Sequence, residues 1–462
     1  MSSKSPLQDR TASEKIGRFV ESVRAETVSP EVVHQAARHF IDTFGITVAA
    51  RAEPASRIVM DYVTAGRCGG PSTLWVTGER VQPEDAALAH GVMSHALDYD
   101  AVTARPYRGH PGVVQWPALV ALGEAIGATG RQLSAAFAVA FEVYLKLPQQ
   151  MIMDHYFRGF HSTSTVGVLA GAAGCANLLG LDAERAAAAV GIAVSHVGGV
   201  QANFGTMSKP IQPGNAAAAA IRCSQLAARG FTAARDALEG RAGFAGVFCK
   251  GEDLSPSFDT LGEEPLELVR SGSGYSMKKY PCCYMAHRAV QGLLDLIAER
   301  PIPPAEVKQV RVAVEPRGLK ALIHKKPRTG LEGKFSMEYV VAAALLDGAV
   351  RLESFTDAAV QRPEAQEFLR KVETFEEEGA VLPPRTRVEV ELRNGEKRSI
   401  RVEILRGSYL QPLTDAEVEA KFRDCVGFSG LSMDVDGFLA AVWDWRDRPV
   451  RSILELVPRL SK

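Results

Sequence analysis

The sequence predicts a mainly α protein, with a large all-helical domain followed by a smaller α+β domain. Three observations carry this expectation. From Ser13 to about Gly246, apolar residues recur at helical spacing in segment after segment. After Lys250 the texture changes, and Glu252 to Gly274 is rich in Gly, Ser, Pro and Glu, as in a connection between domains. Further on, Asn394-Gly395 stands between two alternating runs, the strongest short hairpin signal in the chain. With 462 residues the chain is too long for one ordinary core. The expected division is a helical domain over residues 1–265 and an α+β domain over 270–412. Closing helices at about 415–462 are expected to pack back on the first domain.

The elements follow in order. Pro30 to Val48 carries Val32, Val33, Ala36, Ala37, Phe40, Ile41 and Phe44 at helical spacing. Asp182 is placed to cap a helix over Ala183 to Ser195. Asn215 to Ala228 reads as an Ala-rich helix closed by Gly230. The small residues Gly167, Ala170, Gly171, Ala173 and Gly174 lie in one run. They let helices approach closely, so the inner helices are expected to be buried nearly all round. In the second domain a helix from Ala286 to Glu299 precedes a β-type run, Val307 to Val314. An apolar helix, Ser336 to Leu346, is ended by Gly348, and strands Arg387 to Leu392 and Arg398 to Ile404 flank the hairpin turn. Thr414 with Glu417 forms a capping box for a helix to Cys425, and Phe438 to Trp443 gives a last short helix.

Composition narrows the function classes. Hydrophobic residues at 46% and charged residues at 23% describe an ordinary globular protein rather than a disordered one. A net charge of −1 supplies no global field for nucleic acid, so an anionic ligand must be captured by locally placed cations. Met1 to Arg10 is polar and lacks the apolar core of a signal peptide. Charged residues, His and Gly interrupt the Ala-rich stretches before they reach the ~18–20 residues of a membrane span. The seven cysteines are scattered, and there is no CxxC pair or HExxH helix. The expectation is therefore a reduced, cytoplasmic protein with no disulfide framework and no metal.

Five clusters stand out as chemistry. The first is HGVMSHALDYD, His90 to Asp100, followed by His110-Pro111-Gly112; in it His95 and Asp98 are three apart, a spacing that shares a helix face. The second is Gly159-Phe160-His161-Ser162-Thr163, and the third is Gly205-Thr206-Met207-Ser208-Lys209. The fourth is Lys278-Lys279-Tyr280-Pro281-Cys282-Cys283 with His287 beyond it, and the fifth is Lys334-Phe335-Ser336. Taken singly, each position is also what a packed helical protein carries for structural reasons. His34, His39, His155, His196 and His324 are read that way, and Cys283 as a small buried hydrophobe. Together the clusters fit one chemistry. Proton transfer at carbon beside a carboxylate needs a base near neutrality, for which His is suited. It also needs fixed cations and hydroxyl or backbone donors to hold the carboxylates and the developing charge.

At these clusters the sequence resembles the MmgE/PrpD family of 2-methylcitrate dehydratases, cis-aconitate decarboxylases and iminodisuccinate epimerases. The marks are HALDYD at 95–100, HP at 110–111, GFHSTSTVG at 159–167 and the Gly205 to Gly214 segment with Lys209. LEGRAGF at 238–244, KKYPCCYMAH at 278–287 and KFSMEYVVAAALLDG at 334–348 complete them, and the resemblance runs from about Ser13 to about Val442. It implies a helical domain with a smaller α+β lid, a homodimer, a pocket between the domains and no cofactor. Carried over by motif, the site would hold Asp98, His110, His161, Lys209, Lys278 and His287. Lys209 and Lys278 would meet substrate carboxylates, and His110 and His161 would act as acid and base. Asp98 would support a histidine, and His287 would stand at the lid side.

The sequence departs from the family where Asp100 is followed by Ala101-Val102 rather than Asp-Thr, where HPG replaces HPS, and where Arg105 and Arg108 appear. These departures bear on substrate choice rather than on the chemistry. The expected function is a metal-independent lyase of the hydratase/dehydratase type acting on a small polycarboxylate. The alternatives are an epimerase, a decarboxylase or a non-catalytic carboxylate-binding protein.

Overall fold

The computed structural model describes residues 11–66, 69–103, 109–150, 154–251, 253–270, 274–378 and 385–458. The fold is mainly α, and the chain divides into two compact units. The first comprises residues 1–96, 100–275 and 414–462; the second comprises residues 97–99 and 276–413.

The first unit is built from helices α1 (Ala12–Ser22), α2 (Pro30–Ala49), α3 (Pro83–Ala96), α4 (Gly112–Ile126), α5 (Gly130–Gln150), α6 (Gly167–Leu178), α7 (Ala183–Val194) and α8 (Ser208–Ala228). Local signals set their starts. Thr11 and Glu14 form a capping box on α1, Ser29 caps α2 ahead of Pro30, and Asp182 accepts from Arg185 N at the start of α7. Helix α8 begins at Ser208, nearly two turns before the start read from its Ala-rich part; Pro210 and Pro213 hide the beginning. Pro210 stands in the first turn, where no backbone donor is lost.

Small residues bring the inner helices together. A Cβ on Gly91 of α3 would stand 2.7 Å from the Cα of Gly214 in α8, so the two backbones touch there. A Cβ on Gly171 would meet Ala220 at 2.9 Å, and one on Gly174 would meet Ala136 O at 2.9 Å. These contacts seat α6 against α8 and α5. Aromatic residues fill the wider space: Trp116 stacks on Phe137 at 4.3 Å, and Phe40 on Trp445 at 5.2 Å.

The second unit holds α9 (His287–Glu299), α10 (Met337–Asp347) and a four-stranded sheet. Its strands are β1 (Val307–Val314), β2 (Val372–Glu376), β3 (Thr386–Leu392) and β4 (Lys397–Val402), in the order β2-β1-β3-β4. β1 pairs with β2 in parallel, and the other two pairings are antiparallel. Val388, Val390 and Leu392 alternate inward along β3. Gly292 of α9 lets that helix lie on the sheet, since a Cβ there would meet Ile400 at 2.9 Å. The parallel strand β2 went unread in the sequence. Its pattern of half-buried and exposed positions is that of an edge strand, with weak alternation.

The chain then returns to the first unit with α11 (Asp415–Ser429) and α12 (Val435–Trp443). The Thr414–Glu417 capping box opens α11. Lys421 of α11 forms a buried ion pair with Asp42 of α2 at 2.7 Å. Among the described residues no helix is long and apolar enough to cross a membrane. Arg105 and Arg108 lie outside the described residues.

Candidate active site

In the first unit the end of α3, the segment before α4, the segment before α6 and the first turns of α8 converge. Three of them deliver a histidine, and the Gly91–Gly214 contact brings α8 to α3. Helix α3 stops at Ala96, leaving His95 in its last turn. Asp100 follows in a bend beyond the helix end, and its Oδ2 lies 3.0 Å from His95 Nδ1 and 2.7 Å from His110 Nδ1. One carboxylate oxygen thus serves two imidazoles, whose rings meet edge-on at 4.8 Å. His95 and Asp100 are buried, whereas the His110 side chain keeps 13% exposure. His110 N donates to Thr163 Oγ1 at 3.2 Å, which fixes the ring's backbone to the second motif.

His161 stacks against His95 at 5.5 Å and is itself buried. Its backbone N donates to Gly199 O at 3.1 Å, and its Nδ1 lies 2.7 Å from Gln212 Oε1. Phe204 stands edge-on to the His161 ring at 5.0 Å, and the Lys209 ammonium sits 5.4 Å from the centre of the Phe204 ring. Lys209 is only 5% exposed, so its charge acts in low dielectric.

These surroundings drive the proton affinities apart. Burial pushes His95 down to about 4, with the Lys209 charge adding to it and Asp100 opposing. Burial also holds His161 well below the usual imidazole range, reinforced by His95, Lys209 and His110. For Asp100 burial works upward, but His110 and His95 overcome it and keep the carboxyl well below the usual range. The result is an ionised carboxylate between two rings, and a neutral imidazole on the far side of His95.

The second unit holds the other expected positions. Lys278 is 1% exposed, and its Nζ donates to Asp98 O at 2.6 Å and to Asp98 Oδ2 at 2.9 Å. Asp98 adopts a left-handed backbone, φ 52°, which a short polar side chain tolerates and which takes it off the helical spacing assumed for it. Its partner is therefore Lys278, and the carboxylate that the histidines share is Asp100. His287 Nε2 lies 3.2 Å from Cys282 O. Lys334 Nζ donates to Leu97 O at 2.8 Å, and Ser336 caps α10 by accepting from Tyr339 N.

Two family models cover nearly all of this chain: the MmgE/PrpD N-terminal domain over residues 14–257 and the MmgE/PrpD C-terminal domain over residues 280–446. The chain belongs to the MmgE/PrpD family. Among its curated relatives is the cis-aconitate decarboxylase of Homo sapiens, 26% identical over 429 residues, covering 90% of this chain and 87% of that protein. The Mus musculus cis-aconitate decarboxylase is 27% identical over 436 residues, covering 90% and 86%. That of Aspergillus terreus is 26% identical over 380 residues, covering 76% of each chain.

Within this MmgE/PrpD chain the structure brings His110, His161 and Lys209 into one neighbourhood, with Asp98, Lys278 and His287 placed in the second unit. Sequence reasoning missed Asp100, His95 and Gln212 as site residues. The signal for Asp100 was present, because an aspartate beyond a helix end is free to turn toward residues that helical spacing excludes. Nothing in the sequence marked Gln212, whose importance rests on a contact 51 residues away. His155, read as structural, is satisfied at both nitrogens, by Phe248 O and Thr165 Oγ1. His90, which opens the first cluster, accepts from Trp75 N and stacks on its indole at 4.0 Å. His95, Asp100 and His110 also present donor atoms within 4.8 Å of one another, close enough to hold a metal ion. The 3.0 Å contact is a hydrogen bond between His95 and Asp100, and the 2.7 Å contact brings His110 to the same carboxylate oxygen.

Proposed function

We propose that this protein is a lyase that acts on a small di- or tricarboxylate by moving a proton at the carbon beside a carboxylate. The observation that carries the proposal is the buried group of His95, Asp100 and His110 beside His161 and Lys209. It supplies two imidazoles in different electrostatic settings and a buried cation, the parts that acid–base work on an anionic substrate requires. Lys209 takes a substrate carboxylate, His110 and His161 transfer protons, and Asp100 supports His110. His95 and His110 turn Nδ1 to Asp100 and His161 turns Nδ1 to Gln212, and with those nitrogens acting as N–H donors the groups do the proton chemistry without a metal ion.

The relatives' names favour loss of carbon dioxide from cis-aconitate or a close analogue. In that reaction the carbon–carbon bond to one carboxylate breaks and carbon dioxide leaves. The electron pair stays on the substrate, and a proton from an imidazole ends on carbon. Run on a hydroxy acid, the same groups would take a proton from carbon and release water, the dehydration expected from the sequence.

Proton NMR of the purified protein with cis-aconitate, citrate, 2-methylcitrate, malate and amino-dicarboxylates separates these outcomes. A decarboxylated alkene from cis-aconitate supports the proposal as written. A new alkene from a hydroxy acid supports the lyase with water as the leaving group. Inversion of a stereocentre with no loss of water or carbon dioxide, or no change in any compound, overturns it.

A further inference from the structure

We infer that Gln212 is a positioning residue that locks His161 in the tautomer with its proton on Nδ1, and so leaves Nε2 as the proton-accepting atom. The inference rests on the proton-transfer reading above, in the form in which a proton is taken from carbon, and decides which histidine serves as base there.

A neutral imidazole carries one N–H, and its location is set by the partner on the other nitrogen. For His161 the partner at Nδ1 is the Gln212 side-chain amide, 2.7 Å away. An amide presents either an acceptor oxygen or a donor nitrogen, so its orientation decides the tautomer. Here the orientation is fixed from behind. Gln212 Nε2 donates to Val200 O at 3.0 Å, and a reversed amide would set its oxygen against that carbonyl oxygen. Oε1 therefore faces His161 and accepts, which requires a proton on Nδ1.

The frame around the amide is specific. Gly199 has φ 120°, and a Cβ there would come within 2.9 Å of Gln212 Oε1. The same residue's carbonyl accepts from His161 N, so the 199–200 segment holds both the histidine backbone and its side-chain partner. Gln212 lies one turn along α8 from Lys209, so the helix that brings the cation also brings the amide.

The contrast with His110 gives the inference its chemical content. Both histidines use Nδ1 for support, but His110 faces the Asp100 carboxylate and His161 faces a neutral amide. A carboxylate stabilises a ring that carries positive charge, whereas an amide fixes orientation without favouring the cation. The charged and titratable groups around His161 are His95, Lys209 and His110, with Asp100 behind the two histidines. An anionic substrate entering beside Lys209 would offset that cation and make His161 Nε2 a better base as the complex forms.

The test combines a spectrum with kinetics. In 15N-histidine-labelled wild-type protein near neutral pH, two-bond 1H–15N correlations should show His161 with Nδ1 protonated and Nε2 bare. Gln212→Glu places a carboxylate at the same distance. The acidic limb of the kcat/KM profile should then move up by about one pH unit or more, with the Nδ1–H tautomer kept. Gln212→Met should lose the single tautomer and lower kcat by roughly 10–100-fold with KM little changed. A wild-type His161 protonated at Nε2 overturns the inference even if the protein turns over substrate. An Nδ1–H tautomer in a protein that turns over nothing leaves Gln212's role standing and removes the lyase reading instead. An unmoved acidic limb in a folded Gln212→Glu variant also overturns it.

Discussion

Asp100→Asn removes the charge that two histidines share and changes little else in shape. In the structure Oδ2 stands 2.7 Å from His110 Nδ1 and 3.0 Å from His95 Nδ1. Hydrogen bonds to a charged group contribute about 1.5–3 kcal/mol each. His95 is held neutral by burial, so its bond changes little as the reaction proceeds. The His110 contact strengthens whenever that ring carries positive charge, and losing about 1.5–3 kcal/mol there corresponds to roughly 10–150-fold in rate at 1.36 kcal/mol per tenfold. The asparagine amide can also present its N–H₂ to Nδ1 and impose the wrong tautomer, which adds to the loss. The expected fall in kcat is about 10²–10⁴-fold, with KM changed only a few-fold. The assay is steady-state turnover of the substrate found by NMR, on protein whose circular dichroism and melting match the wild type. A folded Asp100→Asn variant within fivefold of wild-type kcat would refute the assignment of Asp100 as the histidines' support.

Three further outcomes follow from the same geometry. Lys421→Met leaves the Asp42 carboxyl buried without its 2.7 Å partner, so chemical denaturation should show a loss of about 3–5 kcal/mol; burial already raises that carboxyl's affinity for a proton while Lys421 opposes the rise. Stability should fall as pH drops below about 6.5. His90 and His95 have folded values pushed down by burial to about 3 and about 4, so the unfolded chain binds the extra protons between those values and 6.5, at about 1.4 kcal/mol per pH unit for each group. Glu142, pushed up to about 7 by burial, works the other way between about 4.5 and 7, so the acid loss should steepen below about 4.5; urea titrations at stepped pH read both segments. Exhaustive treatment with a chelator, followed by metal analysis, should leave turnover within twofold; a loss restored by a divalent ion would make the His95–Asp100–His110 group a metal centre.

Much of the fold was legible because its elements carry local signals. The Asp182 cap, the Thr414–Glu417 box, the Gly348 stop and the Asn394-Gly395 turn each set a boundary within a few residues. The strand Val307–Val314 matches residue for residue. Helix α8 was read too short, because Pro210 and Pro213 look like loop residues until the first turn is seen to hold the one and the helix to continue through the other. The site was legible in residue type but not in pairing. Lys209, His110 and His161 stood out as motif residues, whereas the choice of Asp100 over Asp98 depends on one left-handed backbone angle. Gln212 depends on where Val200 and Gly199 lie, which no short-range pattern encodes.

The most direct test of proton transfer at carbon by this histidine group is turnover of cis-aconitate in D₂O by wild type and His161→Gln, followed by 1H and 13C NMR. Wild type should release carbon dioxide and place one deuterium at a single carbon of the product, and the variant should be slower by about 10²–10⁴-fold. Full turnover by a folded His161→Gln protein, or a product with no deuterium on carbon, would contradict it.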